Sequence, residues 1–310
     1  MSRTAQAPVR PALNRPLAPP GREGAGGSAF VLSTMVAVLA GIASLIGLVV
    51  QGVYAGPASV AEMLRGYDLV TLLVAVPVMV LAQRRAWRGS DRAWLVWAGM
   101  LAYLAYTYAY HLFGTSFNDL FLLHATVFGG SVVALVSTLM ALDVPAVGAG
   151  FAPGTPRRLV AVVLGLLAAG LGGMWVAAAV GFAVTGKVPT GSALVEPDTV
   201  VHLGIALDLA LLVPAYALAA VLLWRGVAAG FVLAAVVLVS GTLHQVGYLV
   251  ALPFQAAAGI PGAVPFDPLE PVIATLYVAA TALLLWGAGR RRNEVGRSQP
   301  THQPPQLSKR

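Results

Sequence analysis

Long apolar runs separated by short polar connections make up most of this chain. A run of about 20 apolar residues is long enough to cross the ~30 Å hydrocarbon core of a membrane as a helix. The pattern therefore predicts an all-α fold, a polytopic transmembrane helical bundle of eight spans. The predicted spans are residues 29–53, 68–83, 93–113, 117–141, 158–184, 200–224, 228–252 and 270–289.

The two ends of the chain lack this apolar pattern. Residues 1–28 combine four arginines with many prolines and glycines, which predicts a disordered cytoplasmic tail. Residues 290–310 open with three consecutive arginines and predict a second, basic cytoplasmic tail. Between the tails, the predicted divisions are a first four-helix half at 29–143, a cytoplasmic linker at 144–157 and a second four-helix half at 158–289.

Positive charge is unevenly shared between the two ends of the predicted spans. Seventeen of the 19 Lys and Arg residues fall on one side, and the other side holds only Arg65 and Lys187. Because basic loops stay with the cytoplasm, this distribution predicts that both termini are cytoplasmic. Arginine outnumbers lysine 17 to 2, a bias typical of GC-rich bacterial genomes, so the predicted location is a bacterial inner membrane.

The composition excludes a water-soluble globule. The chain is 58% hydrophobic and 10% charged, whereas soluble domains are about 25% charged. The lipid bilayer is therefore the predicted main partner. The formal charge of +7 lies mostly in the tails and the predicted cytoplasmic loops, which indicates anionic lipid headgroups and not nucleic acid. The absence of cysteine excludes disulfides and thiolate metal sites.

Two stretches of the sequence resemble each other. The first contains Asp68 and Pro77 and ends at Trp87-Arg88-Gly89; the second contains Asp208 and Pro214 and ends at Trp224-Arg225-Gly226. The offset is 140 residues at the aspartates and 137 at the prolines and tryptophans, so the match needs a three-residue indel. Since four spans separate the stretches, the pattern predicts a parallel 4+4 internal repeat with kinked helices. Chance similarity between simple apolar helices is the alternative.

Ionisable side chains in or beside the spans fall in the half of the bilayer that is predicted to be outer. An ionisable group in hydrocarbon costs roughly 2.5–3.5 kcal/mol, so these side chains are expected to face the bundle interior or a hydrated cavity. The deepest are Asp208, His124 and His244, which lie on three different spans. The candidate substrate- or ion-binding residues are Asp208, His124, His244, Gln245, Asp68, Asp119, His111, His202 and Tyr103.

A structural role is the alternative for each candidate. Asp68, Asp119 and His202 lie near enough to the interface to be ordinary helix-start residues, where carboxylates cap free backbone donors. Arg65 precedes Asp68 by three residues and is spaced to pair with it on one helical turn. For the three deepest groups, an interhelical hydrogen bond is an explanation that needs no further function.

Three hypotheses for function follow. The leading one is a carrier or permease-like protein that handles a small solute or ion through an outer-facing polar site, because parallel repeats and proline-broken helix pairs are common in transporters. No cofactor is predicted for it. The second is a membrane oxidoreductase that holds haem or a metal at the histidines. The third is a non-catalytic assembly subunit that needs no polar site.

Residue chemistry excludes some other classes. No lysine lies within a predicted span, so a retinal Schiff base of the usual kind has no anchor. The sequence also lacks the Gly-rich loop that binds phosphate in P-loop enzymes and the zinc-protease pair of histidines four residues apart on one helix.

In architecture alone, a bundle of four plus four spans with outward-lying histidines looks like the haem A synthases. That resemblance would imply haem bound by pairs of histidines. Those enzymes place histidine on even-numbered spans. Here the second and eighth predicted spans have none, and His111 and His244 lie on odd-numbered spans. No residue role is therefore carried over to this chain.

The predicted orientation can be tested with single cysteines, because the chain has none of its own. We expect Lys187→Cys to react with a membrane-impermeant maleimide in intact cells. Arg88→Cys should react only after the cells are broken open, because its loop is predicted to be cytoplasmic. Labelling of Arg88→Cys in intact cells would contradict this prediction and indicate the opposite orientation.

Overall fold

The computed structural model of this protein describes residues 25–189 and 193–289. The predicted basic tail at 290–310 and residues 1–24 of the predicted tail at 1–28 lie outside the described residues. Within the described ranges the chain is helical and contains no strand, as the all-α prediction requires. The first helix already begins at Ala25, four residues before the expected boundary.

Helices follow one another through short connections along the described chain. They are α1 (Ala25–Val49), α2 (Ala58–Val70), α3 (Val76–Trp87), α4 (Asp91–Phe113), α5 (Phe121–Met140), α6 (Val144–Ala149), α7 (Arg157–Thr185), α8 (Asp198–Leu207), α9 (Val213–Arg225), α10 (Ala228–Ala257) and α11 (Glu270–Gly287). Two five-residue π-helical segments, Thr71–Ala75 and Asp208–Leu212, join α2 to α3 and α8 to α9.

Seven helices are long and apolar enough to cross a membrane: α1, α2–α3, α5, α7, α8–α9, α10 and α11. Their outward surfaces carry large exposed apolar side chains, among them Leu122, Met140 and Val184. A water-soluble monomer rarely exposes so much contiguous apolar surface. These helices identify a multi-pass integral membrane protein.

Helix α4 corresponds to the predicted third span, 93–113, but is not among these seven. It is 23 residues long, which is sufficient to cross, and 16 of those residues are buried. Other helices surround it, so its composition is not constrained by contact with lipid. Length and apolarity together identify seven candidate spans. The predicted total of eight spans requires that α4 also crosses the membrane.

The long helices form two groups of four with the same order of neighbours. In the first group α1 contacts α5, α5 contacts α4, α4 contacts α3, and the α2–α3 helix returns to α1. In the second group α7, α9, α10 and α11 make the corresponding ring. Helix α10 packs against both α2 and α4 and so joins the two groups. The short α6, inside the predicted linker 144–157, also packs on α10.

The second span is longer than the predicted 68–83. Its helix runs without a loop from Ala58 to Trp87. Glu62 and Arg65 interrupt the apolar run, but they lie one turn apart and form an ion pair at 3.1 Å, so the helix continues through them. Arg65 also donates to the Leu48 carbonyl at 3.0 Å. It therefore pairs with these groups and not with Asp68.

Each π segment ends just before a proline. Pro77 and Pro214 are the second residues after their segments. A proline inside a helix lacks the N–H donor, and its ring clashes with the carbonyl four residues earlier. One extra residue in the turn relieves this clash, and π-bulges are a known cause of helix kinks.

The π segments correct the alignment of the two similar stretches. Thr71 and Asp208 begin their segments 137 residues apart, the same offset as the prolines, so Asp208 corresponds to Thr71 and not to Asp68. Helix α2 has 13 residues and α8 has 10, which accounts for the three-residue difference. Asp68 and Asp208 nevertheless both lie ten residues beyond the start of their helices, ~15 Å along each axis.

Close packing of α2 on α10 depends on a glycine. A Cβ added at Gly66 would lie 2.5 Å from the Ala251 Cα, whereas one added at Gly165 on α7 would contact nothing within 4 Å. We expect Gly66→Ala to lower the free energy of unfolding by about 1–3 kcal/mol, because overpacked helices must separate. Gly165→Ala is the matched control and should not lower it. Reversible unfolding in mixed micelles measures both, and equal effects would contradict this packing.

Candidate functional site

Asp68 is the centre of the first of two buried polar clusters. Its side chain is 0% exposed. The Tyr54 hydroxyl donates to Oδ2 at 2.5 Å, and Nε2 of His111 lies 3.3 Å from Oδ1. Tyr54 lies in the connection between α1 and α2, where burial and the nearby Asp68 raise the pKa of its phenol, so it remains a donor. The first polar cluster comprises Asp68, Tyr54, His111, His124 and Tyr108.

His111 lies between its own helix backbone and the Asp68 carboxyl. Nδ1 of His111 is 3.0 Å from the Thr107 carbonyl oxygen, which can only accept, so Nδ1 is the donor in that contact. Nε2 of His111 lies 3.3 Å from Oδ1 of Asp68, and both side chains are buried. The geometry therefore places two ionisable groups in direct contact inside the bundle.

His124 adds an imidazole that makes no hydrogen bond. Its side chain is fully buried, and neither ring nitrogen has a hydrogen-bond partner within the described ranges. The ring stacks on Tyr54 at 6.0 Å and meets the His111 ring edge-on at 5.2 Å, measured between centroids. Leaving a buried polar atom unsatisfied costs about 1–3 kcal/mol. A polar group retained at this cost is a functional candidate.

Asp208 is the centre of the second polar cluster, which comprises Asp208, Tyr106, Tyr110, Trp175 and His244. The Tyr106 hydroxyl donates to Oδ1 at 2.5 Å, and the Trp175 indole N–H donates to Oδ2 at 2.7 Å. Asp208 is 8% exposed and makes no ion pair within the described residues. Neutral donors from α4 and α7 thus replace the cation that a buried carboxylate would otherwise require.

His244 lies among aromatic rings beside Asp208. It stacks on Tyr67 with centroids 5.3 Å apart and meets Tyr106 edge-on at 4.8 Å. The Tyr67 hydroxyl is 3.5 Å from its Nε2, at the limit of a hydrogen bond. Nδ1 has no partner among the residues that the structure describes. Each cluster therefore combines an aspartate held by tyrosine with an incompletely bonded histidine.

Helix α4 supplies side chains to both clusters. Tyr106 and Tyr110 are four residues apart and share one face, with hydroxyls 3.4 Å from each other. Tyr108 and His111 point to the opposite face, where their rings stack at 4.8 Å. At 100° per residue, these two pairs must project in different directions. Helix α4 therefore lies between the two polar clusters and contributes to both.

The connection between α7 and α8 brings a further carboxyl to the second cluster. Gln255 of α10 bonds both backbone groups of Val195, with N–H to Oε1 and Nε2 to O distances of 2.9 Å. This clamp places Glu196 within electrostatic reach of Asp208. Burial, and then the Asp208 charge, raise the pKa of Glu196 from its ordinary value of about 4.5 to about 7. Glu196 therefore titrates near neutral pH.

The structure brings five of the nine predicted site residues into or against the clusters: Asp68, His111, His124, Asp208 and His244. The Tyr103 hydroxyl bonds Thr71 at 2.9 Å, beside them. Gln245 turns away to bond Glu270 at the start of α11. Asp119 and His202 are exposed and join neither cluster. Asp119 does not cap α5 either, because the Asn118 side chain accepts from the Leu120 N–H instead.

Sequence reasoning missed several contributors. Tyr54 and Glu196 lie in connections, and Trp175 lies in the apolar α7. Nothing local in the sequence indicates that Tyr54 and Trp175 are buried against an aspartate or that Glu196 is partly buried near one. The second cluster does have one signal in the sequence, the helical spacing of Tyr106 and Tyr110. Two hydroxyls on one face of a buried helix need hydrogen-bond partners.

A cavity of about 330 Å³ adjoins the first cluster. Tyr54 lines it together with the polar side chains Gln51, Glu62 and Arg65. Because the Tyr54 hydroxyl bonds Asp68, this cavity connects the protein surface with the first cluster through one side chain.

His111 and His124 are not placed to bind one haem as a pair of axial ligands. Two axial imidazoles bind on opposite faces of the macrocycle. The rings of His111 and His124 are only 5.2 Å apart at 70° to each other, and both nitrogens of His111 are already engaged. Within 25–189 and 193–289, no group of three or more His, Cys, Asp or Glu residues is placed to hold a metal ion.

Comparisons with protein-family models, with curated proteins and with solved structures found no match for this chain.

The raised pKa of Glu196 predicts a pH dependence of stability. A folded pKa near 7 and an unfolded value near 4.5 mean that the folded protein binds more protons between these values. Stability from this group is complete below about pH 4.5 and is lost as pH rises through 7. We expect Glu196→Gln to flatten the fall in melting temperature between pH 5 and about 7.5.

Asp198→Asn is the matched control, because Asp198 is an exposed acid two residues away. It should leave the pH profile of the parent unchanged. Parallel profiles for the parent and Glu196→Gln would contradict the burial of this carboxyl.

Proposed function

We propose that this protein is a carrier that moves a small solute or ion across the bacterial inner membrane, with proton binding at the two polar clusters as the coupling event. The observation that carries the proposal is the pair of buried aspartates, Asp68 and Asp208, each held by a tyrosine hydroxyl at 2.5 Å. Buried carboxyls inside a membrane bundle are costly and commonly mark ion and proton pathways.

The carrier architecture has eight spans in this proposal, with α4 as the third. The same order of neighbours in the two helix groups supports a parallel 4+4 repeat, as do the π segments at the same offset. Parallel repeats place the coupling site between the two halves. Helix α4 lies there, with a polar cluster on either side.

The proposed orientation directs the clusters outward and both termini to the cytoplasm. Asp68 and Arg85 lie on one continuous helix, 17 residues apart, which is ~25 Å along the axis. That separation supports opposite membrane surfaces for the clusters and for the arginine-rich turn. The cavity at Tyr54 then opens to the outer side.

A proton changes the stability of each cluster. Ionised Asp68 or Asp208 favours a hydrated site, and the neutral carboxyl is compatible with a dry one. The π segments adjoin these residues, and irregular helical turns are places where helices bend. Proton uptake therefore shifts the conformational equilibrium between open and closed arrangements of α2–α3 and α8–α9.

The other hypotheses differ in what they require of the clusters. The haem hypothesis needs two imidazoles on opposite faces of a macrocycle, whereas the His111 and His124 rings are 5.2 Å apart at 70° and both His111 nitrogens are engaged. An assembly subunit needs no titratable group, so alanine at Asp208, His124 and His244 together would leave its role intact. The bonded aspartates favour the carrier.

A pH jump applied to reconstituted protein tests the proposal without knowledge of the solute. Charge movement on a solid-supported membrane reports proton binding. We expect Asp68→Asn and Asp208→Asn each to reduce the charge moved, and the double variant to reduce it further, leaving the smaller movement from groups outside the spans such as Glu196.

Asp119→Asn, which alters an exposed acid outside both clusters, is the control and should behave as the parent. Equal charge movement for the parent and the double variant, at equal protein density, would remove both aspartates from the mechanism.

A further inference from the structure

A second cavity lies at the opposite end of the bundle from the polar clusters. Its volume is about 650 Å³, and its walls come from the end of α3, the turn to α4, the first turns of α4 and the residues just after α11. Its lining includes three basic and three apolar side chains: Arg85, Arg88, Arg92, Val78, Leu81 and Val96. None of them belongs to either polar cluster.

The charge of this cavity suits an anion. Arg85 and Arg88 are exposed, and neither makes an ion pair within the described residues. The Arg92 guanidinium donates to the backbone carbonyls of Trp286 and Ala288 at 3.3 and 3.2 Å, which fixes its position. Asp91 is the one acid among the lining residues, so two positive charges remain in excess. A guanidinium fork matches phosphate oxygens.

The rest of the wall is apolar. Val78, Leu81 and Val96 line the cavity beside the arginines, and Leu81 is 50% exposed. Val78 and Leu81 belong to a membrane-crossing helix that ends at Trp87, so the cavity lies where hydrocarbon gives way to headgroups. A soluble anion gains no favourable contact from this apolar wall. A phospholipid uses both parts, with phosphate at the arginines and the upper acyl chain against the apolar side chains.

We propose that this cavity is a specific binding site for the headgroup of an anionic phospholipid. General attraction of basic loops to the membrane surface does not require a cavity and would involve every arginine on this side equally. The site here joins the α3–α4 turn of the first half to the end of α11 in the second half, through Arg92. A bound lipid therefore stabilises the contact between the two halves.

The test compares two double variants that remove the same charge. Arg85→Gln/Arg88→Gln removes lining arginines. Arg84→Gln/Arg225→Gln removes two exposed arginines that do not line the cavity, at the ends of α3 and α9. Phosphatidylglycerol, phosphatidylcholine and inorganic phosphate are each added to delipidated protein in detergent, and bound lipid is counted by native mass spectrometry together with the melting temperature.

We expect the parent and the Arg84/Arg225 variant to retain phosphatidylglycerol and to gain thermal stability from it, with no such gain from phosphatidylcholine. The Arg85/Arg88 variant should bind phosphatidylglycerol about 30-fold more weakly, since two arginines near the membrane surface are lost. Bound lipid is counted only on the folded protein in the mass spectrum. A misfolded variant is therefore not mistaken for one that has lost lipid binding.

Two results would overturn the proposal. Equal weakening in both double variants means that lipid responds only to total surface charge. Stabilisation of the parent by inorganic phosphate to the same extent as by phosphatidylglycerol means that the site takes a free anion and the apolar wall contributes nothing. Neither result bears on proton binding at Asp68 and Asp208.

Discussion

The cost of removing carboxyl groups from water governs this structure. Asp68 and Asp208 are buried in a bundle whose outer surface is apolar, and no basic side chain of the described chain pairs with Asp208. Tyrosine and tryptophan donors stabilise it instead, at 2.5 and 2.7 Å. Neutral donors allow a carboxyl to gain and lose a proton without breaking an ion pair, which is a property that proton-handling sites need.

The two clusters stabilise their buried aspartates with different partners. At Asp68 a histidine ring nitrogen lies 3.3 Å from one carboxyl oxygen, whereas at Asp208 an indole N–H donates to the second oxygen at 2.7 Å. The remaining histidine of each cluster, His124 or His244, keeps at least one ring nitrogen without a partner in the described residues. The two aspartates therefore lie in chemically different surroundings, although the π segments near them begin at the same sequence offset as the prolines.

Helix α4 makes the arrangement feasible because protein surrounds it. A helix with a lipid-facing side cannot carry tyrosine and histidine on several faces, whereas an enclosed helix can. Its opposite faces bear Tyr106 with Tyr110 and Tyr108 with His111, so one polar helix contributes to both polar clusters. The prolines act in the flanking helices, where the π segments place Thr71 and Asp208 at matching positions beside α4.

The sequence by itself determined the class of this protein, its helices, the two prolines beside the irregular turns and the polar residues worth attention, because apolar length, proline and the cost of buried charge act locally along the chain. It did not determine which residues meet. Asp119 and His202 lie near predicted span ends in the sequence, as Asp68 does, yet they are exposed and Asp68 is buried. Glu196 and Trp175 carried no local signal, yet they reach Asp208. Only the packing of helices decided these contacts, since burial and partnership depend on distant segments brought together in space.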